Sequence, residues 1–396
     1  MGDFLQIHSL VSYPGVLLNR DDVGLAKRLP FGDAVRIRVS SQCLKKHWRE
    51  AVAARHPELP AAVRSREILT REIRDWLEQQ EGVSPAAADS AVRRLADVVL
   101  KSKEKQEDKP AADDEGQDGD GEAADELKTG QVIVLSRAEI DRLRTVALRL
   151  AKSEGSGEER PDAPKKAKGA KGKAKTGAEV LSKEDQEELR SIGGSFDMAL
   201  FGRFVTSELL ARVDAAASVA HAFTVHGEQA ETDYFTAVDM LDARGAAMVG
   251  DAELTSGVFY VYVVIDLDQL RDNLPGRQEL AEPLAAWLVE AIATVSPGAK
   301  RGSTAPYAWS EFVLLERGSA QPRTLANAFR SALPLNSGQD VLADAVQALL
   351  GERKRLEAMY GELVSSERVV VASTHPASEE LPRQPLHAAI KAVLAV

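Results

Sequence analysis

The chain has 396 residues, 44% of them hydrophobic and 28% charged, and its formal net charge is −11. This is the composition of a globular protein that buries a core, and no apolar run approaches the roughly 20 residues of a membrane span. The one cysteine, Cys43, excludes an intrachain disulfide and a multi-cysteine metal site. The N-terminal segment has no signal-peptide pattern. Together with the single cysteine, this leads us to expect a cytoplasmic protein that does not contact the membrane.

The negative charge is concentrated in one segment. Ten acids and one lysine lie between Glu107 and Glu126, which together carry −9, so the rest of the chain carries −2 of the −11. The net charge of the whole chain therefore says little about the charge of the folded surface.

Strand and helix patterns alternate in the first hundred residues. The alternation in FLQIHSLV and AVRIRVS predicts two strands. In the second strand, Arg36 and Arg38 share the face opposite Val35, Ile37 and Val39. The pattern then becomes helical, and a serine at position 40 or 41 is a suitable N-cap. The predicted helices cover 41–55, 61–80 and 85–104.

The middle of the chain contains two low-complexity segments. Residues 102–130 are acidic, and residues 153–178 are rich in Lys, Ala and Gly. Neither can bury enough apolar surface to offset its ordering entropy, so we expect both to be disordered. Between them, a short strand and one helix are predicted, and we interpret the whole region as a mobile insertion. The lysine run is more typical of a solvated linker than of a nucleic-acid contact.

Residues 180–396 again combine helix and strand patterns. Helices are predicted in SKEDQEELRSI, EPLAAWLVEAIATV and RTLANAFRSAL. Strands are predicted in DAAASVAHAFTVHGE, in EFVLLE and in the apolar, β-branched run SGVFYVYVVIDLDQL. Strands near both ends of the chain, interleaved with helices, predict an α+β sheet domain that carries the insertion.

The common catalytic motifs are absent from the sequence: there is no P-loop, Rossmann glycine pattern, H-E-x-x-H or G-x-S-x-G. His221 and His226 are five residues apart, which in a strand puts them on opposite faces and opposes a shared metal. The adjacent Asp21 and Asp22 are more typical of a turn than of a catalytic pair, and Cys43 is interpreted as a small apolar filler. We expect no metal, cofactor or catalytic residue.

The helix after AVRIRVS has a polar stripe that suits a phosphate. Gln42, Lys45 and Arg49 are spaced i, i+3 and i+7, beside the free N–H groups of the first helical turn. The basic residues close to them in sequence are Arg20, Lys27, Arg28, Arg36 and Arg38. No acid is expected on the same face, so this surface suits a sugar–phosphate backbone. The alternative is an ordinary amphipathic helix with a solvated basic face.

A second candidate is the segment SIGGSFDMALFGRFVTS, where glycines punctuate clustered apolar residues. This pattern suits a protruding hairpin whose apolar side chains wedge between bases or stack on them. It equally suits a core strand with a turn.

The segment at 18–50 resembles the N-terminal signature of the CasC family; its sequence is LNRDDVGLAKRLPFGDAVRIRVSSQCLKKHWRE. The family's later blocks follow in order, as FDMALFGRF, AAASVAHAFTVH, DYFTAVDML, SGVFY and PGAK. CasC proteins are the crRNA-binding backbone subunits of the type I-E CRISPR Cascade complex, within the Cas-seven superfamily.

The resemblance implies a modified RNA-recognition-motif (ferredoxin-like) palm, an inserted set of helical fingers and a protruding thumb hairpin. On this pattern the palm comprises 1–58 and 216–396. The fingers comprise 59–190, including the low-complexity insertion, and the thumb comprises 191–215.

The resemblance also implies a function in antiviral defence. Copies of the chain polymerise along the crRNA, each thumb kinks the RNA, and the exposed bases pair with a target DNA strand. The implied partners are therefore crRNA, target DNA, further copies of the chain and other Cascade subunits. The positions that match the family's guide-backbone contacts are Arg20, Lys27, Ser40, Gln42, Lys45, Arg49 and Lys300. Leu200 and Phe201 match the thumb-tip region at the kink.

Two alternatives stay open. The first is an RNA-cleaving backbone subunit, as in type III effectors, with Asp21 or Asp22 acting in the loop. The second is a general single-strand RNA-binding protein in which the lysine run makes the main contact.

Overall fold

The computed structural model describes most of the chain. The described residues are 2–99 without 60, 132–155, 180–238 without 193, 204–209 and 211, and 246–394 without 337, 339, 376–380 and 382. The predicted disorder over 102–130 and 156–178 lies outside the described residues. Residues 153–155, at the edge of the second low-complexity segment, end a helix.

The chain divides into two compact units. One unit comprises Met1–Pro57 and Ala215–Val396, and the other comprises Glu58–Asp214. We call them the sheet unit and the helical unit.

The sheet unit is built on one antiparallel sheet, to which nine strands of the described residues contribute. The strands are β1 (Phe4–Val16), β2 (Arg28–Phe31), β3 (Ala34–Val39), β6 (Ala217–Val219), β7 (Ala222–Thr224), β8 (Ala230–Val238), β9 (Ala246–Asp266), β10 (Phe312–Gly318) and β11 (Arg368–Ser373). Their order is β11-β10-β1-β9-β7-β3-β2, and β6 and β8 also pair with β9. The expected α+β fold is confirmed, and the strand pairs of its sheet are antiparallel.

Helices complete the sheet unit. They are α1 (Ser41–Arg55), α7 (Leu267–Asp272), α8 (Ala281–Thr294), α9 (Arg301–Thr304), α10 (Val341–Tyr360) and α11 (Leu386–Leu394). Leu10 of β1 belongs to the core cluster that α10 covers, and α7 and α8 also contact β1. Because side chains alternate along a strand, Leu5 and Ile7 lie on the face opposite Leu10, and all three are 0% exposed. Both faces of β1 are therefore covered.

The helical unit has its own core. Its elements are β4 (Val63–Ser65), α2 (Asp75–Leu77), α3 (Pro85–Val99), β5 (Ile133–Leu135), α4 (Arg137–Gly155), α5 (Lys183–Ser191) and α6 (Phe196–Phe201), with a π-helical turn at Leu69–Arg74. The strand and helix predicted between the low-complexity segments are confirmed as β5 and α4. Leu135, Ile140 and Leu143 in these two elements are 0% exposed within the core cluster. The interpretation of this part as mobile is therefore wrong, because its apolar face packs against α3.

Two predicted helices differ from the structure. Over 61–80 the chain forms β4, the π-helical turn and α2 instead of one continuous helix. In RTLANAFRSAL only a 3-10 turn forms, at Ala326–Phe329. Phe329 is fully buried there, and its carbonyl oxygen accepts a hydrogen bond from Arg36. Tertiary packing thus replaces the regular helix that the periodicity alone favours.

A fully buried ionic group stabilises the centre of the sheet. His8 and Glu316 are both 0% exposed; His8 Nδ1 lies 2.8 Å from Tyr260 Oη, and His8 Nε2 lies 3.4 Å from Glu316 Oε2. Arg353 and Arg323 donate to Glu316 Oε1 at 2.8 and 3.2 Å. Burial lowers the pKa of His8 and keeps the ring neutral. Burial alone would raise the pKa of Glu316, but its contacts with His8 and the two arginines lower it well below its usual range.

This group predicts a loss of stability on acidification. A histidine whose folded pKa is below 6.5 contributes stability that is complete above that value and is lost as the pH falls below it. We expect the free energy of unfolding to fall between about pH 7.5 and about pH 5.5, with His8 contributing at most about 1.4 kcal/mol per pH unit. His47 and His226, whose pKa values burial also lowers, contribute to the same fall.

Denaturant unfolding of His8→Gln measures this contribution. The fall in unfolding free energy between the two pH values should be smaller than in the wild-type protein. His387→Gln, which changes an exposed histidine, is the matched control and should keep the wild-type dependence. An identical pH dependence in His8→Gln and wild type would contradict the assignment.

Candidate nucleic-acid interface

Helix α1 begins at a capped and anchored end. The Ser40 hydroxyl accepts a hydrogen bond from Cys43 N, which confirms Ser40 as the N-cap. Ser40 N donates to Asn19 Oδ1 at 2.8 Å. Ser40 is 1% exposed, so its side chain holds the first turn in place. Its contact with a guide backbone stays a prediction.

The loop before β2 is held against the same helix end. Lys27 N donates to Asn19 O at 3.0 Å, and Arg38 N donates to Lys27 O at 2.8 Å. Asp21 Oδ1 accepts from the backbone N–H groups of Val23 and Leu25. The interpretation of Asp21 as a turn residue is therefore confirmed.

The polar stripe of α1 places cations next to one another. Gln42 is exposed, and Lys45 and Arg49 are half-buried. Burial, followed by the charge of Arg49, lowers the pKa of Lys45. Both influences disfavour the lysine cation in the folded chain, and a bound phosphate would offset them. This environment is suited to an anion.

A third segment, distant in sequence, reaches the start of α1. Ala299 N donates to Leu17 O at 2.9 Å. In the first turns of α1, burial raises the pKa of Cys43 and lowers the pKa of His47, and the charge of Arg301 acts to lower both. The segment turns sharply at Lys300, which is exposed and has a left-handed φ of 49°. The structure thus places 299–301 beside α1, and Arg301 is a basic residue that the sequence analysis missed.

Two arginines of the predicted basic surface are engaged within the protein. Arg36 is 0% exposed and donates to Thr224 O and Phe329 O at 3.1 and 2.8 Å, so its expected place on a basic outer face is wrong. Arg28 forms salt bridges with Glu228 and Glu253. The expectation of a surface without partner acids is wrong for Arg28, because both acids come from a distant part of the chain.

Leu200 and Phe201 lie in α6 of the helical unit. Leu200 is 1% exposed and Phe201 is half-buried. Asp197 of the same helix accepts hydrogen bonds from Ala62 N and Ser195 Oγ. The predicted hairpin is wrong for Phe196–Phe201, because this segment is a short helix that packs its apolar residues inward. A role of these two residues at an RNA kink stays a prediction.

Strands β8 and β9 form a long hairpin. The two strands pair from Ala230↔Thr255 to Val238↔Ala246. Tyr234 is 70% exposed and Phe235 is 40% exposed. The Phe235 ring lies over Gly250 of the facing strand, where a Cβ atom would come within 2.8 Å of it, and Lys300 Nζ is 5.9 Å from the ring centroid. The adjacent aromatics in the block DYFTAVDML were the available sequence signal.

The two histidines do not form a site. His226 is 2% exposed, and its Nε2 accepts from Val258 N at 3.2 Å. His221 is exposed, and its Nδ1 lies 3.2 Å from Arg38 Nη1. Within the described ranges, no group of three or more His, Cys, Asp or Glu residues could hold a metal ion. None of the described helices has both the length and the apolar character needed to cross a membrane.

An antiparallel sheet, a basic helix start and a long exposed hairpin together form a candidate nucleic-acid interface. The chain belongs to the CT1975-like protein family, whose model matches residues 5–395. No curated protein matches the chain.

Two solved structures resemble the chain over its whole length. The first is a chain of a "CRISPR RNA-guided surveillance complex, pre-nicking", with 27% sequence identity, a TM-score of 0.78 and 99% coverage of both chains. The second is a chain of a "CRISPR RNA-guided surveillance complex", with 24% identity, a TM-score of 0.69 and 99% coverage of both chains. The second shows the similarity of the fold alone.

Proposed function

We propose that the protein is a backbone subunit of a type I-E CRISPR surveillance complex, of the CasC kind. The observation that carries the proposal is the likeness to a chain of an RNA-guided surveillance complex over 99% of both chains. The basic residues at the start of α1 support the proposal further, because they are suited to contact the phosphates of an RNA. The chain binds crRNA, and copies of it assemble along the RNA with other subunits of the complex.

The phosphate contacts come from the start of α1 and the two segments packed against it. Gln42, Lys45 and Arg49 form the stripe on the helix, and Arg20 and Lys27 lie in the preceding loop. Lys300 and Arg301 come from the third segment. Contacts with the sugar–phosphate backbone are independent of sequence, so one protein carries any guide. Base pairing with the target DNA strand supplies the specificity.

The β8–β9 hairpin is the element that kinks the RNA in this proposal, in place of Leu200 and Phe201. Exposed aromatic side chains stack on bases or wedge between them, whereas a side chain buried like Leu200 has to leave its core to do so. Tyr234 and Phe235 are exposed on the hairpin. The bases between two kinks stay available for pairing with the target.

The proposal assigns the chain no catalytic step. Asp21 accepts hydrogen bonds from the backbone of its own turn, which opposes the RNA-cleaving alternative as far as it rests on Asp21; cleavage of target RNA by Asp22→Asn tests the other carboxylate. Repeated copies require a head-to-tail interface that does not close into a ring. We propose the cytoplasm as the location, where the crRNA is found.

Co-purification with RNA tests the proposal. The chain would be expressed with its neighbouring genes and a CRISPR array, and the bound RNA sequenced. We expect uniform short RNAs with a repeat-derived handle in a complex with several copies of the chain. Heterogeneous host RNA, or none, would contradict the proposal.

Lys45→Ala should weaken guide binding equally across spacer sequences. One phosphate contact is lost, so the slope of log Kd against log salt should fall by about one. Filter binding at several salt concentrations measures the slope. Lys46→Ala is the matched control, because Lys46 is exposed and pairs with Glu50 at 4.0 Å. A loss that depends on the spacer sequence would rule out a backbone contact.

Tyr234→Ala should weaken single-strand RNA binding by about 1–3 kcal/mol, the contribution of one stacked base, without changing the unfolding midpoint. Titration of a labelled RNA measures the loss. Tyr360→Ala, which removes a partly exposed tyrosine at the end of α10, is the control. Equal affinities of Tyr234→Ala and the control would remove the hairpin from the RNA path.

A further inference from the structure

The β8–β9 hairpin leaves the sheet close to Glu253. The pairing of β1 with β9 ends at Val16↔Thr255. Between Ala246 and Leu254, the described pairs of β9 are with β8 alone. Glu253 is therefore the second residue of β9 beyond the last contact with β1. A two-stranded ribbon that extends from a sheet has few interactions to define its direction.

The Glu253 carboxylate anchors the place where the hairpin leaves the sheet. It is 9% exposed, and both oxygens accept hydrogen bonds from the segment that leads into β2. Oε2 accepts from Ala26 N at 2.5 Å, and Oε1 accepts from Arg28 Nη2. A carboxylate this buried requires such partners, because an unpaired charge there would be strongly unfavourable.

Arg28 extends the same contact to the segment that leads into β8, the other strand of the hairpin. Its Nε donates to Glu228 Oε2 at 2.6 Å, two residues before β8, and its Nη1 donates to Ala26 O at 2.9 Å. The hydrogen bond with Glu253, followed by that with Glu228, raises the pKa of Arg28. One guanidinium, at the start of β2, thus connects Glu253 of β9 with Glu228 of the segment that leads into β8. We call Glu253, Arg28 and Glu228 the hairpin brace.

The residues that Glu253 of the hairpin brace contacts lie on either side of a residue of the proposed RNA site. Ala26 and Arg28 are the neighbours of Lys27 on either side, and Lys27 is itself anchored through its backbone to Asn19 and Arg38. The same few bonds therefore hold the backbone on either side of Lys27, a residue of the proposed phosphate contacts, and the base of the hairpin.

We infer that Glu253 is a positioning residue that sets the direction of the β8–β9 hairpin relative to the phosphate-binding loop, and thereby which base of the bound RNA is unstacked. The inference rests on the proposed function. Glu253 acts through Ala26 and Arg28 and is not assigned a contact with RNA. Its loss should alter the unstacking of bases more than it alters affinity.

The test uses the full chain, saturated with single-stranded RNAs that carry 2-aminopurine at one position at a time. The fluorescence of this base rises when it unstacks. The wild-type protein should give maxima at regular positions. Glu253→Gln keeps the size of the side chain and one acceptor but loses the charge. It should lower the fluorescence at these maxima at least about twofold, or move the maxima to other positions. The Kd should change less than about threefold, because the phosphate contacts persist.

Two further variants separate positioning from general stability. Arg28→Gln changes a side chain that is one-third exposed and should give the same altered maxima. The double variant should alter the maxima no more than either single variant does, because both substitutions act through the same bond. Glu231→Gln, an exposed acid of the same hairpin, is the matched control and should keep the wild-type maxima.

The outcomes distinguish the inference from the function on which it rests. Wild-type maxima in Glu253→Gln and Arg28→Gln overturn the inference alone. A loss of affinity in proportion to a lower unfolding midpoint, with unchanged maxima at saturation, also overturns it. A wild-type protein that binds RNA without any maxima, or does not bind it, overturns the proposed kinking together with the inference.

Discussion

The long strand β9 is the element on which both the core and the hairpin depend. It pairs with β1, β6, β7 and β8. Its C-terminal half is buried in the sheet, where Val263 and Ile265 are 0% exposed. Its N-terminal half continues outward as one strand of the hairpin. Because a single strand forms both parts, the packing of the core determines where the hairpin leaves the sheet.

The cations of the sheet unit serve two different purposes. Arg36, Arg323 and Arg353 donate to groups inside the protein, and Arg28 closes the hairpin brace. Buried guanidinium groups require such partners, since the cost of desolvating them is otherwise large. Lys45 is different, because burial and a neighbouring cation both act against its charge. A basic residue can thus be considered as an RNA contact only after the salt bridges within the protein have been assigned.

The elements that depend on short-range pattern were predictable. The strand period in FLQIHSLV and SGVFYVYVVIDLDQL and the helical period after Ser40 all appear in the structure. The caps at Ser40 and Ser182 were equally readable, because a capping side chain bonds to a backbone group three residues away. In RTLANAFRSAL the helical period was misleading, since contacts with β3 hold the segment in a different conformation.

The amino-acid sequence by itself determined the alternation of strands and helices, the capped basic start of α1 and the likeness to subunits of CRISPR surveillance complexes. These features arise from interactions within a few residues or from matching blocks of sequence. Only the tertiary structure decided that Arg36 is internal, that Leu200 is a core residue and that the exposed hairpin is β8–β9. The contact of Glu253 with Ala26 joins residues 227 positions apart, and no local pattern specifies such a partner. Long-range pairing along the sheet therefore selects, from several similar basic and apolar side chains, those that remain at the surface.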